Sequence, residues 1–138
     1  MKALWDRTSS LWMNGSLIGK VRAVFTSAAS VHGGQETTAV SMMFPMFHHG
    51  IIIVGIPYSV PELTQSGGPY GPSRIVGSMA DMPIEEIDIK VAISLGKRVA
   101  EIASRLTVGK REEGEEEAKI KASSEKNNQI KNIKEQIQ

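Results

Sequence analysis

The sequence predicts an α/β protein in which parallel strands alternate with crossover helices, and three observations carry that prediction. Ile51-Ile52-Ile53-Val54-Gly55-Ile56 is a continuous, mostly β-branched run of the kind buried on both faces of a parallel sheet. Ile84, Ile87, Val91, Leu95, Val99, Ile102 and Leu106 step by three and four, the stripe of a helix lying on a core. Segments of the two periods also follow one another as helix, strand, helix, strand, long loop, helix.

From the amino end, Leu4, Thr8 and Leu11, with Trp5 and Trp12 seven positions apart, predict a helix that stops at Asn14-Gly15. Lys20 to Phe25 reads as a short strand. It runs into TSAASVHGGQETT, Thr26 to Thr38, a turn of small residues that opens the next helix. Glu36 to His49 has the length and composition of that helix despite Pro45, and Gly50 ends it. The isoleucine run is the second strand. Tyr58 to Met82 is rich in Gly, Pro and Ser and has no helical period, so it predicts a long loop, functional or disordered. The last helix is expected from Pro83, with Glu85 and Glu86 in the first turn where the macrodipole favours carboxylates, to Gly109.

Residues 110–138 carry seven basic side chains and seven glutamates with few large apolar groups, too little to offset their ordering entropy. Disorder or a frayed helix is expected there, with Ile130, Ile133 and Ile137 leaving a docking helix as the sharper alternative. The chain thus divides into an α/β part, 1–109, and a charged tail, 110–138. Two parallel strands do not make an independently stable sheet. With Met1 falling inside the first helix, the sequence reads as part of a larger sheet.

Composition excludes several functions. The net charge is +1, so no bulk field draws the 138-residue chain to nucleic acid or a membrane surface. Cysteine is absent, which removes disulfides, thiolate catalysis and cysteine metal sites. The longest apolar passage, Ser41 to Ile56, is broken by Pro45, His48, His49 and Gly50 and is too short to span a bilayer. Asp6 and Arg7 stand where a signal peptide would be apolar, so a cytoplasmic protein is expected. No metal site is expected at His48 and His49, because adjacent helical residues point about 100° apart.

After a parallel strand, a turn of small residues exposes backbone N–H groups beside a helix start, at the edge where such folds bind ligands. A plain strand-to-helix turn is the other reading of the same residues.

WDRTSSLWMNGSLIGK, VFTSAASVHGGQETT, FHHGIIIVGIPY and SGGPYG, in that order and at those intervals, resemble the C-terminal half of the tryptophan-repressor-binding-protein-like flavoproteins. These are flavodoxin-like NAD(P)H:quinone oxidoreductases that use FMN, and the resemblance covers roughly residues 1 to 107. It implies a flavodoxin-like parallel sheet of which this chain supplies the last two strands and last three helices. The family's Ser/Thr-rich phosphate turn and its Arg-Phe-Gly-Asn loop have no counterpart in the sequence. TSAASVHGGQETT matches the remaining flavin loop.

Carried over residue by residue, the resemblance makes Ser27, Ala28, Ala29, Ser30, Val31, His32, Gly33 and Gly34 the flavin-edge loop. Ala28 and Ala29 stand where relatives commonly have Thr and Gly. His48 matches a histidine beside the flavin and its substrates, where an imidazole can bond a quinone oxygen and deliver a proton. By its position alone it is equally a histidine favoured by a helix C-terminus. Trp12 matches an aromatic that reaches a neighbouring subunit's active site and binds substrate; packing is its other reading. Tyr70, in the SGGPYG match, falls near the active-site mouth, or merely punctuates a surface loop.

The implied function is two-electron reduction of a quinone by NAD(P)H through FMN, in a homotetramer with shared active sites. The alternatives are an inactive fragment, or a split interaction module completed by a chain that supplies the other half.

Overall fold

The computed structural model describes the backbone of residues 2–136 and the side chains of residues 3–126. The chain forms two compact units, Met1–Ala103 and Ser104–Gln138. The expected face of Ile130, Ile133 and Ile137 lies outside the described side chains.

The first unit opens with two short helices, α1 (Lys2–Asp6) and α2 (Ser9–Met13), where one was predicted. Thr8 separates them: its hydroxyl donates to the Trp5 carbonyl at 2.7 Å, a local bond that competes with helix continuation. Strand β1 (Val21–Arg22) and strand β2 (Thr26–Ala28) follow, then α3 (Gln35–His48) and β3 (Ile52–Ile53). Pro45 sits three residues from the end of α3, where its missing N–H costs the helix a single bond.

All strand pairing is parallel. Val21 and Arg22 lie opposite Ile52 and Ile53, while Thr26, Ser27 and Ala28 lie opposite Ser73, Arg74 and Ile75. The second partner, β4 (Ser73–Ile75), falls inside the predicted loop 58–82, which also contains a 3-10 turn at Pro61–Thr64. A three-residue strand centred on an arginine carries no hydrophobic period, so nothing local announced it. Segment 20–28 is thus served by two partners in turn along one edge. The carbonyls of Lys20 and Arg22 accept from Ile52 and Val54, Thr26 donates to Pro72, and Ala28 accepts from Val76. Gly71 lies between them, so close that a Cβ there would stand 2.0 Å from the Val24 carbonyl oxygen. Only glycine lets the loop return at that point.

The pairs form two two-stranded sheets, β1 with β3 and β2 with β4, and helices cover both faces of the first and its flanks. Val21, Val54 and Ile56 pack with Leu63, Val91 and Leu95 on the face of the last helix, α4 (Glu86–Gln136). Val24 and Ile51 pack with Ala39 and Met46 of α3 on the other, where Trp5 also joins. Val91 is fully buried at 0% exposure, but Ile84 and Leu106, at the ends of the predicted stripe, are exposed.

Helix α4 begins at Glu86 rather than near Pro83 because Asp88 reaches back to accept the Glu85 N–H at 2.9 Å, one half of a capping box. Gly109 does not end it. The residue stays within the helix with ordinary negative φ, so it costs helix propensity without supplying the left-handed stop. In the second unit the helix runs on to Gln136, and every described side chain there is exposed. No helix of the described residues is long and apolar enough to cross a membrane.

Candidate functional site

The loop after β2 lies at the carboxyl ends of the parallel strands. Small residues shape it. The Ser30 carbonyl accepts the Gly33 N–H and the Gln35 side-chain amide, each at 3.0 Å, closing a tight turn. Gly34 follows at φ 78°, a left-handed conformation that favours glycine, and caps α3 without a side-chain bond. The Thr38 N–H is the first of the helix to reach a backbone carbonyl, that of Gly34 at 2.9 Å. Among the described residues, the N–H groups of Gln35, Glu36 and Thr37 have no acceptor, nor do those of Ala29 through His32. Open donors at a helix start favour an electron-rich ligand atom.

Beside the loop is a cavity of about 320 Å³ whose walls include Val31, Gln35, Glu36, Arg74 and Asp88. Sequence reasoning did not single out the last two. Arg74, brought in by β4, bonds the Glu85 carboxylate and the Pro83 carbonyl at 2.8 Å each, and lies 3.3 Å from Asp88. Asp88 also accepts from the Ser66 hydroxyl at 2.5 Å. Burial alone would raise the Asp88 carboxyl, but the bonds from Ser66 and Glu85 and the Arg74 charge outweigh it and hold it below its ordinary value. This cluster ties loop, strand and helix together as the rigid back wall of the cavity. The Glu85–Asp88 spacing before an apolar stripe is a sequence signal that could have pointed to part of it.

His48 and Trp12 lie elsewhere. His48 is the exposed last residue of α3, and a 14-residue helix places it roughly 20 Å from the loop at the other end. Trp12, 58% exposed, stands on α2, whose neighbouring turn is bonded to the same end of α3. The link is His49, buried where His48 is exposed. Its Nε2 is 2.9 Å from the Thr8 hydroxyl, whose single hydrogen is already given to Trp5, so His49 donates from Nε2. Its ring packs on Trp5 with centroids 5.5 Å apart. The structure therefore gathers Ser27 to Gly34 at one pole and sets Trp12 and His48 at the other. Tyr70 is 40% exposed and borders a small cleft with Thr26 and Glu36, on the loop's side.

Parallel strand pairs with crossover helices, and a small-residue loop at the carboxyl end of β2, define an α/β protein, and in open α/β sheets ligands bind at that edge. No protein-family profile matches the chain. Its sequence is 45% identical over 111 residues to the NAD(P)H dehydrogenase (quinone) of Chromohalobacter salexigens, covering 77% of this chain and 55% of that protein. The proteins of the same name from Geotalea uraniireducens and Gluconacetobacter diazotrophicus are each 42% identical, over 55% and 56% of their lengths. The chain is a homologue of the C-terminal half of these NAD(P)H dehydrogenase (quinone) proteins. It spans about half the length of the curated relatives it matches.

Proposed function

We propose that this chain is the flavin-edge half of a flavodoxin-like, FMN-dependent NAD(P)H:quinone oxidoreductase. The observation that carries the reading is the run of unbonded N–H groups in the Ser27–Gly34 loop and the first turn of α3. Ser27 to Ser30, Gly33 and Gly34 have small side chains or none, so a flat ring can approach the backbone at those residues. The residues fit the electron-rich edge of a flavin ring. They do not fit its phosphate: Arg74, the cation at the cavity, is engaged by Glu85 and Asp88, and Glu36 stands in the first turn of α3.

A bound FMN would supply two-electron redox chemistry between NAD(P)H and a quinone. The loop amides would hold the ring edge and favour negative charge on it. Val31, 68% exposed, adds an apolar wall that sheds water. His48 holds a proton for a quinone oxygen, and Trp12 closes over the substrate. With some 20 Å between the poles, these two act at the loop of a neighbouring copy, as a homotetramer with shared sites allows. A cytoplasmic location accords with such an assembly.

The test is reconstitution. Alone, the 138-residue chain is expected to be colourless and to show no saturable FMN binding; stoichiometric flavin on the lone chain would refute the missing phosphate site. Mixed with the N-terminal half of the Chromohalobacter salexigens relative, it is expected to bind FMN and reduce benzoquinone with NAD(P)H. His48→Gln is then expected to lower kcat about a hundredfold with flavin still bound. A flavin-loaded assembly without quinone reduction would sink the redox reading.

A further inference from the structure

Asn14-Gly15, where α2 stops, is also the link of the sequence most open to attack by its own backbone. A carboxamide side chain can react with the backbone nitrogen of the residue that follows it, and glycine puts no side chain in the way. The other asparagines, Asn127, Asn128 and Asn132, precede Asn, Gln and Ile, whose side chains crowd that approach. Asn14 is exposed, and among the described residues its side chain has no partner.

Folding restrains the reaction. Helix α2 ends in a Schellman motif: the Gly15 N–H donates to the Trp12 carbonyl at 3.0 Å and the Ser16 N–H to the Leu11 carbonyl at 3.1 Å, with Gly15 left-handed at φ 63°. The nucleophile is thus occupied as a donor, and its direction is wrong as well. Ring closure needs the Gly15 nitrogen eclipsed with the Asn14 Cβ about the Cα–C bond, whereas ψ −3° at Asn14 eclipses it with Asn14's own nitrogen. The restraint is a weak one. Helix α2 has five residues, none of them buried, and no side-chain bond at its N-cap, while Trp12 and Met13 are 58% and 78% exposed. A segment with so little packing opens far more often than the core does.

We propose that Asn14 is a self-modification site gated by the α2 cap: when α2 opens, the Asn14 carboxamide is converted to a carboxylate, and the converted chain no longer closes the cap. The Gly15 nitrogen gives up its proton and bonds to the Asn14 Cγ, the Cγ–Nδ2 bond breaks, and the departing nitrogen takes up a proton and leaves as ammonia. A five-membered cyclic imide remains. Water then adds to one of its two carbonyls. Breaking the bond from nitrogen to Cγ gives aspartate, and breaking the bond from nitrogen to the main-chain carbon gives an isoaspartyl link with an extra methylene in the backbone. Nothing is oxidised or reduced. Either product adds one carboxylate, taking the net charge from +1 to 0, and sets it at the negative end of the α2 backbone dipoles. The isoaspartyl link also shifts Gly15 and Ser16 off the Trp12 and Leu11 carbonyls. Neither flavin nor quinone takes part, so the reaction stands whether or not the protein is a quinone reductase.

The probe is the intact 138-residue chain, incubated in neutral to mildly alkaline buffer beside a synthetic peptide of residues 8–20, with conversion read by ion exchange and by mass spectrometry of the tryptic 8–20 fragment. Conversion is expected at Asn14 ahead of Asn127, Asn128 and Asn132, roughly ten- to a hundredfold slower than in the peptide, and faster as pH rises because the attacking nitrogen must lose a proton. Ser16→Pro removes the bond to Leu11 but keeps the Asn-Gly link, and is expected to speed conversion of the folded chain by about fivefold or more. In the converted chain, hydrogen exchange at Gly15 and Ser16 is expected to quicken by about tenfold or more while core amides stay protected. An Asn14 that remains intact in the folded chain after the peptide has fully converted overturns the proposal. So does a folded rate equal to that of the peptide, or one that Ser16→Pro leaves unmoved. Gly15 and Ser16 amides still protected after conversion would refute the broken cap.

Discussion

Helix α4 lives in two environments, and the contrast separates what makes a helix from what holds one. Between Glu86 and Ala103 it buries Val91 and Leu95 against the strands and is pinned at its start by Asp88, Ser66 and Arg74. From Ser104 onward every described side chain is exposed and polar residues dominate. The first stretch is helical because a core needs its stripe. Along the second the described side chains, to Lys126, are exposed, so propensity and exposed charge carry more of the burden, and isolated helices are marginal in water.

The largest expected effect comes from placing a charge at the centre of the first stretch. Val91→Asp puts an unpaired carboxylate where exposure is 0%, a change of more than about 4 kcal/mol and a large share of a small domain's stability. Loss of cooperative melting by circular dichroism checks it. Leu95→Ala, at 6% exposure, is expected to cost about 2–4 kcal/mol, whereas Leu106→Ala, at 39%, changes stability by less than about 0.5 kcal/mol. Equal costs at 95 and 106 would erase the distinction between the two stretches.

Next in size is the acid response of the helix start. The Asp88 carboxyl is held below its ordinary value of 3.8 in the folded chain and returns to that value on unfolding. Its contribution is therefore complete above about pH 4 and is lost as pH falls through the depressed native value. Asp88→Asn removes that acid-limb dependence and is expected to cost about 1–3 kcal/mol near neutral pH, because Arg74 and Ser66 lose a charged acceptor. Denaturant midpoints measured from pH 2 to 7 read both; an unchanged acid limb in the variant would place the sensitivity elsewhere.

The same contrast explains what could be read from the sequence. Val91, Leu95, Val24 and Ile51 announced themselves because burial selects for period, and the α/β order followed from them. The loop at Ser27–Gly34 was legible through its small residues and its place after a strand. Arg74 and β4 were silent, since their roles depend on partners distant in sequence. His48 was visible as a residue, but its separation from the loop follows from the run of α3 back across the sheet. Gly109 misled because glycine marks a helix end only in the left-handed conformation, which no single sequence position declares.

The smallest effect tests the second stretch alone. Gly114 lies within α4 with open space around the position of a Cβ, so nothing there selects glycine for fit. Alanine removes a propensity penalty of about 1 kcal/mol, and where packing contributes nothing that change acts directly on the helix–coil balance. Gly114→Ala is expected to raise ellipticity at the helical minimum while the cooperative melt of the core stays in place. Trypsin digestion gives the complementary reading, with cleavage after Lys110, Arg111, Lys119 and Lys121 expected well before the Glu86–Ala103 stretch is cut and slowed by the alanine variant. Propensity is then the quantity that limits helical order around Gly114. If the core melt rose together with the ellipticity, the far stretch would be drawing on tertiary packing, and the contrast between the two environments would fail.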